Sequence, residues 1–281
     1  MNRRITGALL ALLLMMPLCL VSCSDDDDDN PTGPGEGEVE VPEIPQAEIN
    51  TQADFQSNDQ SAQQAQAVVQ GQLSAAQGVA NSSFAYLSPL QQAQWTESGG
   101  DCASWSYTQD GCTLTYEVCE TATGYEWSYT LDGDCADGEP AYDNWVVWSG
   151  VTNLDGTNGT FRWFEEYTTT VGGGWQWSYN PDQNSGNWSF YTGEISAENV
   201  TAMMDWLENQ DGSQVVTWTN PGQMKWETTI SSNGRVGTME SYEWVVLGQT
   251  WRLQSEIDWD NGTGSWTTYD DDGTPINEMS W

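Results

Sequence analysis

The chain has 281 residues, with 42 Asp and Glu against six Lys and Arg, no histidine, and 17 tryptophans. So acidic a balance excludes phosphate-backbone binding as a general function, because that needs Lys and Arg to displace counterions; no nucleic-acid partner is expected. Without histidine there is no Ser-His-Asp or Cys-His catalysis, no His-containing zinc site and no usual physiological-pH switch.

In chain order, the first element is a targeting segment. Arg3 and Arg4 precede an apolar run over residues 8–20, which ends in Leu20-Val21-Ser22-Cys23. A positive start, a short apolar stretch and small residues before a cut are the parts of a secretory signal. The run is shorter than the roughly 18 residues needed to span a bilayer. Leu-Val-Ser-Cys resembles the lipobox of bacterial lipoproteins, which implies cleavage after residue 22 and lipidation of Cys23. Ser24 follows, and residues 25–29 are all Asp. That acidic run resembles the surface-export signal of lipoproteins in some Gram-negative phyla, although a solvated spacer looks the same. The expected address is the outer membrane with the domain at the cell surface, a periplasm-facing placement being the alternative. The membrane is then met through the acyl anchor, and the basic residues left in the mature chain are Arg162, Lys225, Arg235 and Arg252.

Residues 23–51 read as an extended linker, low in hydrophobicity and punctuated by Pro31, Pro34, Pro42 and Pro45; such a stretch cannot bury enough surface to offset chain entropy. Residues 52–281 then form the folded domain. Its first element is a Gln- and Ala-rich helix over about 57–80, with Ala62, Ala65, Val69, Ala76 and Val79 or Ala80 at helical spacing and Ser57 or Ser61 as N-cap. Its apolar face is weak, so light packing is expected.

After Gly99 and Gly100 the texture becomes β: Trp, Tyr, Thr and Val alternate with polar residues, and Asp-Gly or Asn-Gly pairs interrupt them. A loose echo, Trp105-Ser106-Tyr107, Trp127-Ser128-Tyr129 and Trp177-Ser178-Tyr179, is too irregular for a propeller or solenoid. If Asp110-Gly111 is a two-residue hairpin loop, Trp105 faces Tyr116, Ala103 faces Val118 and Cys102 faces Cys119. If Thr123-Gly124 is the next loop, Val118 faces Tyr129, Tyr116 faces Leu131 and Cys112 faces Cys135. Both registers keep apolar residues together on one face, as a half-buried sheet requires. They propose the disulfides Cys102–Cys119 and Cys112–Cys135 on opposite faces of a three-stranded meander; the rival pairing is Cys102–Cys112 with Cys119–Cys135. Further strands are predicted at 143–149, 160–168, 174–180, 187–193, 213–219, 223–231, 235–246, 250–259, 263–269 and 276–281. Residues 196–210 fit either a helix or a strand, and Ser196 as a cap favours the helix. The expected fold class is mainly β: a single antiparallel meander-like sheet, curved into a partial or closed barrel, with an N-terminal helix.

The candidate sites follow from composition. Rows of Trp and Tyr on a sheet can stack on sugar rings, which makes Trp163, Trp175, Trp177 and Trp188 candidate ligand-binding aromatics; equally, cross-strand aromatic pairs can simply stabilise the sheet. Strand parity puts Trp175 and Trp177 on one face and Trp145 and Trp148 on opposite faces. Glu165-Glu166 beside Arg162 and Trp163 is the richest carboxylate cluster, but adjacent strand residues point apart, as do Glu240 and Glu243. No catalytic residue is therefore assigned. Residues 132–139 hold acids near calcium-loop spacing, with one acid a position late, so no cofactor is expected beyond a structural calcium; the Asp-rich stretches near 258–262 and 270–273 read as hairpin turns.

The reading is a non-enzymatic cell-envelope lipoprotein presenting a Trp-rich β domain to a glycan or envelope component. One alternative is a carrier of a hydrophobic ligand, whose order of helix then curved sheet vaguely resembles the lipoprotein-localisation carriers. The other is a carboxylate-dependent glycoside hydrolase.

Overall fold

The structure is a computed structural model, and it describes residues 48–85, 96–97, 101–135 and 140–281. The expected signal segment, Cys23 and the linker up to residue 47 lie outside the described residues, as do residues 136–139 of the acidic loop.

Among the described residues, one helix, α1 (Gln60–Ala85), precedes fifteen strands: β1 (Thr96–Glu97), β2 (Cys102–Gln109), β3 (Cys112–Thr121), β4 (Gly124–Gly133), β5 (Tyr142–Asn153), β6 (Asn158–Phe164), β7 (Val171–Asn180), β8 (Ser185–Thr192), β9 (Val200–Glu208), β10 (Gln214–Asn220), β11 (Met224–Ile230), β12 (Val236–Val245), β13 (Thr250–Asp260), β14 (Thr263–Tyr269) and β15 (Pro275–Ser280). Each strand pairs antiparallel with the next in a single meander from β1 to β15. No hydrogen bonding closes the sheet among the described residues, which fits a partial barrel. No helix among them is long and apolar enough to cross a membrane.

Alternation gives the sheet two unlike faces. The inner face carries the aromatic and aliphatic core, including Trp127, Trp188, Met204, Trp226, Ile257 and Trp259, in one cluster with α1. The outer face carries Ser, Thr, Glu and Asn. Among the described residues, six tryptophans of the inner face each cover a glycine of the adjacent strand. The pairs are Trp127/Gly150, Trp177/Gly159, Trp163/Gly173, Trp206/Gly186, Trp259/Gly237 and Trp281/Gly264. A Cβ built on any of these glycines would sit only 2.0–2.5 Å from indole carbons. The missing side chain is thus the space the ring occupies, and the ring shields a strand backbone that glycine would leave bare. Trp177 and Trp259 also donate Nε1–H to the carbonyls of Gly156 and Gly234, at 3.0 and 2.9 Å, in turns three residues before their glycine partners.

The helix packs more tightly than its weak apolar face suggests. Ala62, Ala65, Val69, Leu73, Ala76 and Ala80, spaced three or four apart, are completely buried and so form one face. The helix lies against β14 and β15. It starts later than expected because Asp59 supplies the cap: its Oδ1 accepts the Ser61 N–H at 2.7 Å, whereas Ser57 bonds Asp59 itself. The glutamines hold the preceding chain. Gln77 and Gln66 accept the backbone N–H groups of Ile49 and Phe55, and Gln70 donates to the carbonyl of Ala53. Phe55 then stacks on Trp259 and Trp281.

Both disulfides are present, Cys102–Cys119 and Cys112–Cys135. The register of the first hairpin is as expected, with Cys102 opposite Cys119 and Trp105 opposite Tyr116. Asp110 and Gly111 both take positive φ, as a type I′ turn requires. The second register is corrected by two residues: Val118 faces Trp127, and Cys112 faces Gly133. The loop is Ala122-Thr123, because Gly124 is already in β4, where a Cβ would meet the carbonyl oxygen of Thr152 at 1.8 Å. A shift of two preserves the faces, and Cys135, just past the strand end, still reaches Cys112.

Residues 196–210 are also corrected. Only a short 3-10 turn, Ala197–Asn199, follows Ser196, whose side chain makes no cap bond. From Val200 the chain is strand β9, paired on both sides by β8 and β10, so sheet pairing overrides the local helical pattern. A bulge at Val147, where β4 pairs Tyr129 with Trp148 and Thr130 with Val146, overturns the parity argument for Trp145 and Trp148. The extra residue brings both rings to the inner face.

Candidate functional site: an aromatic rim

In a meander, alternate turns gather at opposite ends of the strands, and the two ends here differ. At the first, the segment 48–56 runs across the turns. Asn50 and Asp54 donate backbone N–H to Gln214 Oε1 and the carbonyl of Gly234, at 2.7 and 2.8 Å, and Asn184 and Gln214 both donate to the carbonyl of Glu48. The second end gathers the turns after β2, β4, β6, β8, β10, β12 and β14. Tyr107, Trp163, Tyr167, Met224, Val246, Leu247 and Ile276 sit there, seven of the twelve exposed large apolar side chains among the described residues.

The richest part of that rim is built by β5, β6 and the turn after β6. Tyr142, Trp145 and Tyr167 form a three-ring cluster: Tyr142 lies 5.1 and 4.8 Å from the other two with interplanar angles of 21° to each, and those two are 6.4 Å apart. Tyr142 donates its hydroxyl to Glu166 at 2.6 Å, and Tyr167 donates to the carbonyl of Pro140 at 2.9 Å. Burial, then the Glu166 carboxylate, pushes the Tyr142 phenol far above its ordinary range. Tyr167 is held at φ 57°, a conformation unfavourable for a side chain of this size and maintained by these contacts.

Beside this stack stands Trp163. The residue opposite it in β7 is Gly173, and Gly172 is an extra, bulged residue. The indole consequently lies over both glycines: a Cβ on Gly173 would be 2.1 Å from Cζ2, and one on Gly172 would be 2.9 Å from Nε1 and 3.6 Å from Glu165 Cγ. Trp163 and Glu165 therefore border the same spot. One ring face rests on the glycine backbone, and the side chain is 39% exposed.

The structure separates the other proposed aromatics from this rim. Trp188 is completely buried and Trp175 and Trp177 nearly so; Trp175 stacks on Phe161 at 3.8 Å. They are core residues with no free ring face to offer. Arg162 points to the outer face, away from Trp163. Glu165 and Glu166 lie beyond the end of β6, in the turn rather than in a strand, so both reach the rim and strand parity does not govern them. Glu240 and Glu243 do lie on opposite faces, opposite Glu227 and Met224. Asp132 accepts the backbone N–H of Asn144, and Cys135 is in a disulfide. Among the described residues no group of three or more Cys, Asp and Glu side chains has metal-holding geometry. The rim residues missed by sequence reasoning are Tyr142, Trp145 and Tyr167; clustering of aromatics around the Glu165-Glu166 pair was the available signal.

No protein-family model matches the chain, and no curated protein matches it either.

Proposed function

We propose that this chain is a non-enzymatic lipoprotein, held at the outer membrane through lipidated Cys23 with its domain facing outward, and that the aromatic rim around Trp163 binds a glycan or a related envelope component. The supporting observation is Trp163 itself: an indole with one face seated on glycine backbone, substantially exposed, and bordered by Glu165. An aromatic face stacks on the apolar C–H face of a sugar ring while Glu165 accepts its hydroxyls. The filled inner face favours this surface reading over a carrier, which needs an apolar cavity. Glu165 and Glu166 are consecutive in one turn rather than set across a cleft, which favours binding over glycoside hydrolysis.

The test is a glycan array probed with the unlipidated chain (Cys23→Ser) and with its Trp163→Ala variant. Binding that disappears in the variant, with an unchanged circular dichroism spectrum, is expected. A folded chain that binds no glycan, or a variant that binds equally well, overturns the reading.

A further inference from the structure

A second site lies on the outer face, where β3, β4, β5 and β6 form a trough of about 240 Å³. Its axis is a row of direct cross-strand neighbours, Glu117, Ser128, Ser149 and Arg162; Glu126 and Thr160 stand in the adjacent row. The two serines make the floor low, and the long charged side chains at either end make the walls. The two carboxylates stand toward β3 and β4, and the guanidinium stands on β6.

Three features mark this trough. First, Lys225, Arg235 and Arg252 are each paired with a carboxylate, whereas among the described residues Arg162 has no such partner. Its cross-strand neighbours are Ser149 and Gly174, and a Cβ at Gly174 would lie 2.1 Å from the carbonyl oxygen of Phe161. Neither direct cross-strand neighbour can neutralise it. Second, hydroxyls on the neighbouring β2–β3 hairpin satisfy one another, as Ser106 with Thr115 at 2.9 Å and Thr108 with Thr113 at 3.0 Å. Those of Ser128, Ser149 and Thr160 bond no side chain among the described residues. Third, the charge is polarised along the trough. Glu117 and Arg162 are three strand spacings apart, about 14 Å between Cα atoms, at opposite ends of the row.

A ligand that fits these features carries an ammonium at one end, a carboxylate at the other and hydrogen-bonding groups between. A net anion is disfavoured by a chain of 42 acids and six bases, and a simple cation leaves Arg162 facing like charge. We infer that the trough binds a short peptide zwitterion, its ammonium on Glu117 and Glu126 and its carboxylate on Arg162. Serine and threonine hydroxyls hold the peptide groups in between. Three extended residues span about 10 Å, which fits within that separation, and a guanidinium grips a carboxylate through two parallel hydrogen bonds.

The inference is independent of the aromatic rim, since the trough and Trp163 lie on opposite faces. The experiment is saturation-transfer difference NMR of triglycine with the unlipidated full chain, in parallel with N-acetyltriglycine and triglycinamide. Triglycine is expected to bind, and each blocked analogue to bind at least about fivefold more weakly, a loss of roughly 1 kcal/mol. Arg162→Gln should weaken triglycine but not triglycinamide. Glu117→Gln with Glu126→Gln should weaken triglycine but not the N-acetyl form. No triglycine signal at about 20 mM, a concentration that would reveal even millimolar affinity, overturns the proposal. So does triglycinamide binding as tightly as triglycine. Galacturonate binding through Arg162 in place of triglycine would reassign the trough to a sugar acid and overturn the peptide reading as well.

Discussion

Trp163 lies over Gly173 just as Trp177 lies over Gly159, yet Trp163 is 39% exposed while Trp177 is buried. The same cross-strand device thus serves two ends. In the interior it packs the core, and at the rim it presents a ring. The two positions should therefore separate stability from binding. Trp177→Ala removes a buried indole and its bond to the Gly156 carbonyl and is expected to cost about 3–5 kcal/mol. Trp163→Ala is expected to cost about 1 kcal/mol, in the usual range for partly exposed positions, while abolishing rim binding. Urea unfolding of both variants checks the contrast; equal losses of stability would make Trp163 another core residue.

The glycine half of the device can be tested where the fit involves only the ring. At Gly186 the three nearest atoms to an added Cβ all belong to Trp206, at 2.2, 2.6 and 2.8 Å. Gly186→Ala should destabilise by about 1–3 kcal/mol through overpacking. In a Trp206→Ala background the same substitution should cost little, or even stabilise, since alanine suits a strand better than glycine. A double-mutant cycle measures the coupling, expected at about 1–3 kcal/mol for residues in direct contact. An additive result would show that the ring does not rely on the gap.

These pairs explain which parts were legible beforehand. Alternation showed which residues share a face, and Asp110-Gly111 set the first hairpin, because a turn needing two positive φ values has few sequence solutions. The second hairpin slipped by two because Thr123-Gly124 resembles a turn, while the contact that draws Gly124 into β4 comes from Thr152, 28 residues later. The bulges at Val147 and Gly172 have no local signature, yet they decide that Trp145 faces inward and that Trp163 spans two glycines. The roles of the tryptophans were hidden for the same reason. Whether an indole is core or platform depends on a glycine in the neighbouring strand and on nearness to a rim, and neither is written in the residues around it.

The disulfides pin the first three full strands. Cys102–Cys119 and Cys112–Cys135 span 17 and 23 residues, so each is expected to contribute about 3 kcal/mol by restricting the unfolded chain. Replacing either pair with serines should lower stability by that amount. Non-reducing peptide mapping should recover both pairs, and a Cys102–Cys112 peptide would contradict the observed register.

Acid stability should turn on two carboxylates shifted in opposite directions. Glu208 accepts hydrogen bonds from Asn184 and Gln214, the two side chains that also hold the carbonyl of Glu48, and these bonds lower its pKa below the ordinary carboxylate value. A lowered folded-state pKa contributes stability that is fully present above the unfolded value and is lost as pH falls through the folded value. Asp258 behaves in the opposite way. Burial, then the nearby Glu256 and Glu240, raise its pKa, so the folded state holds the proton more tightly and stability declines as pH rises through that window. At pH 7 Asp258→Asn should therefore stabilise the fold, by no more than about 0.5 kcal/mol given its solvent screening, and Glu208→Gln should destabilise it. At a pH below both folded-state values each wild-type carboxyl is already protonated, and both differences should vanish. Urea unfolding followed from pH 7 downward through the acid range measures this directly. A Glu208→Gln penalty that persists in acid would assign the role of Glu208 to shape rather than to charge.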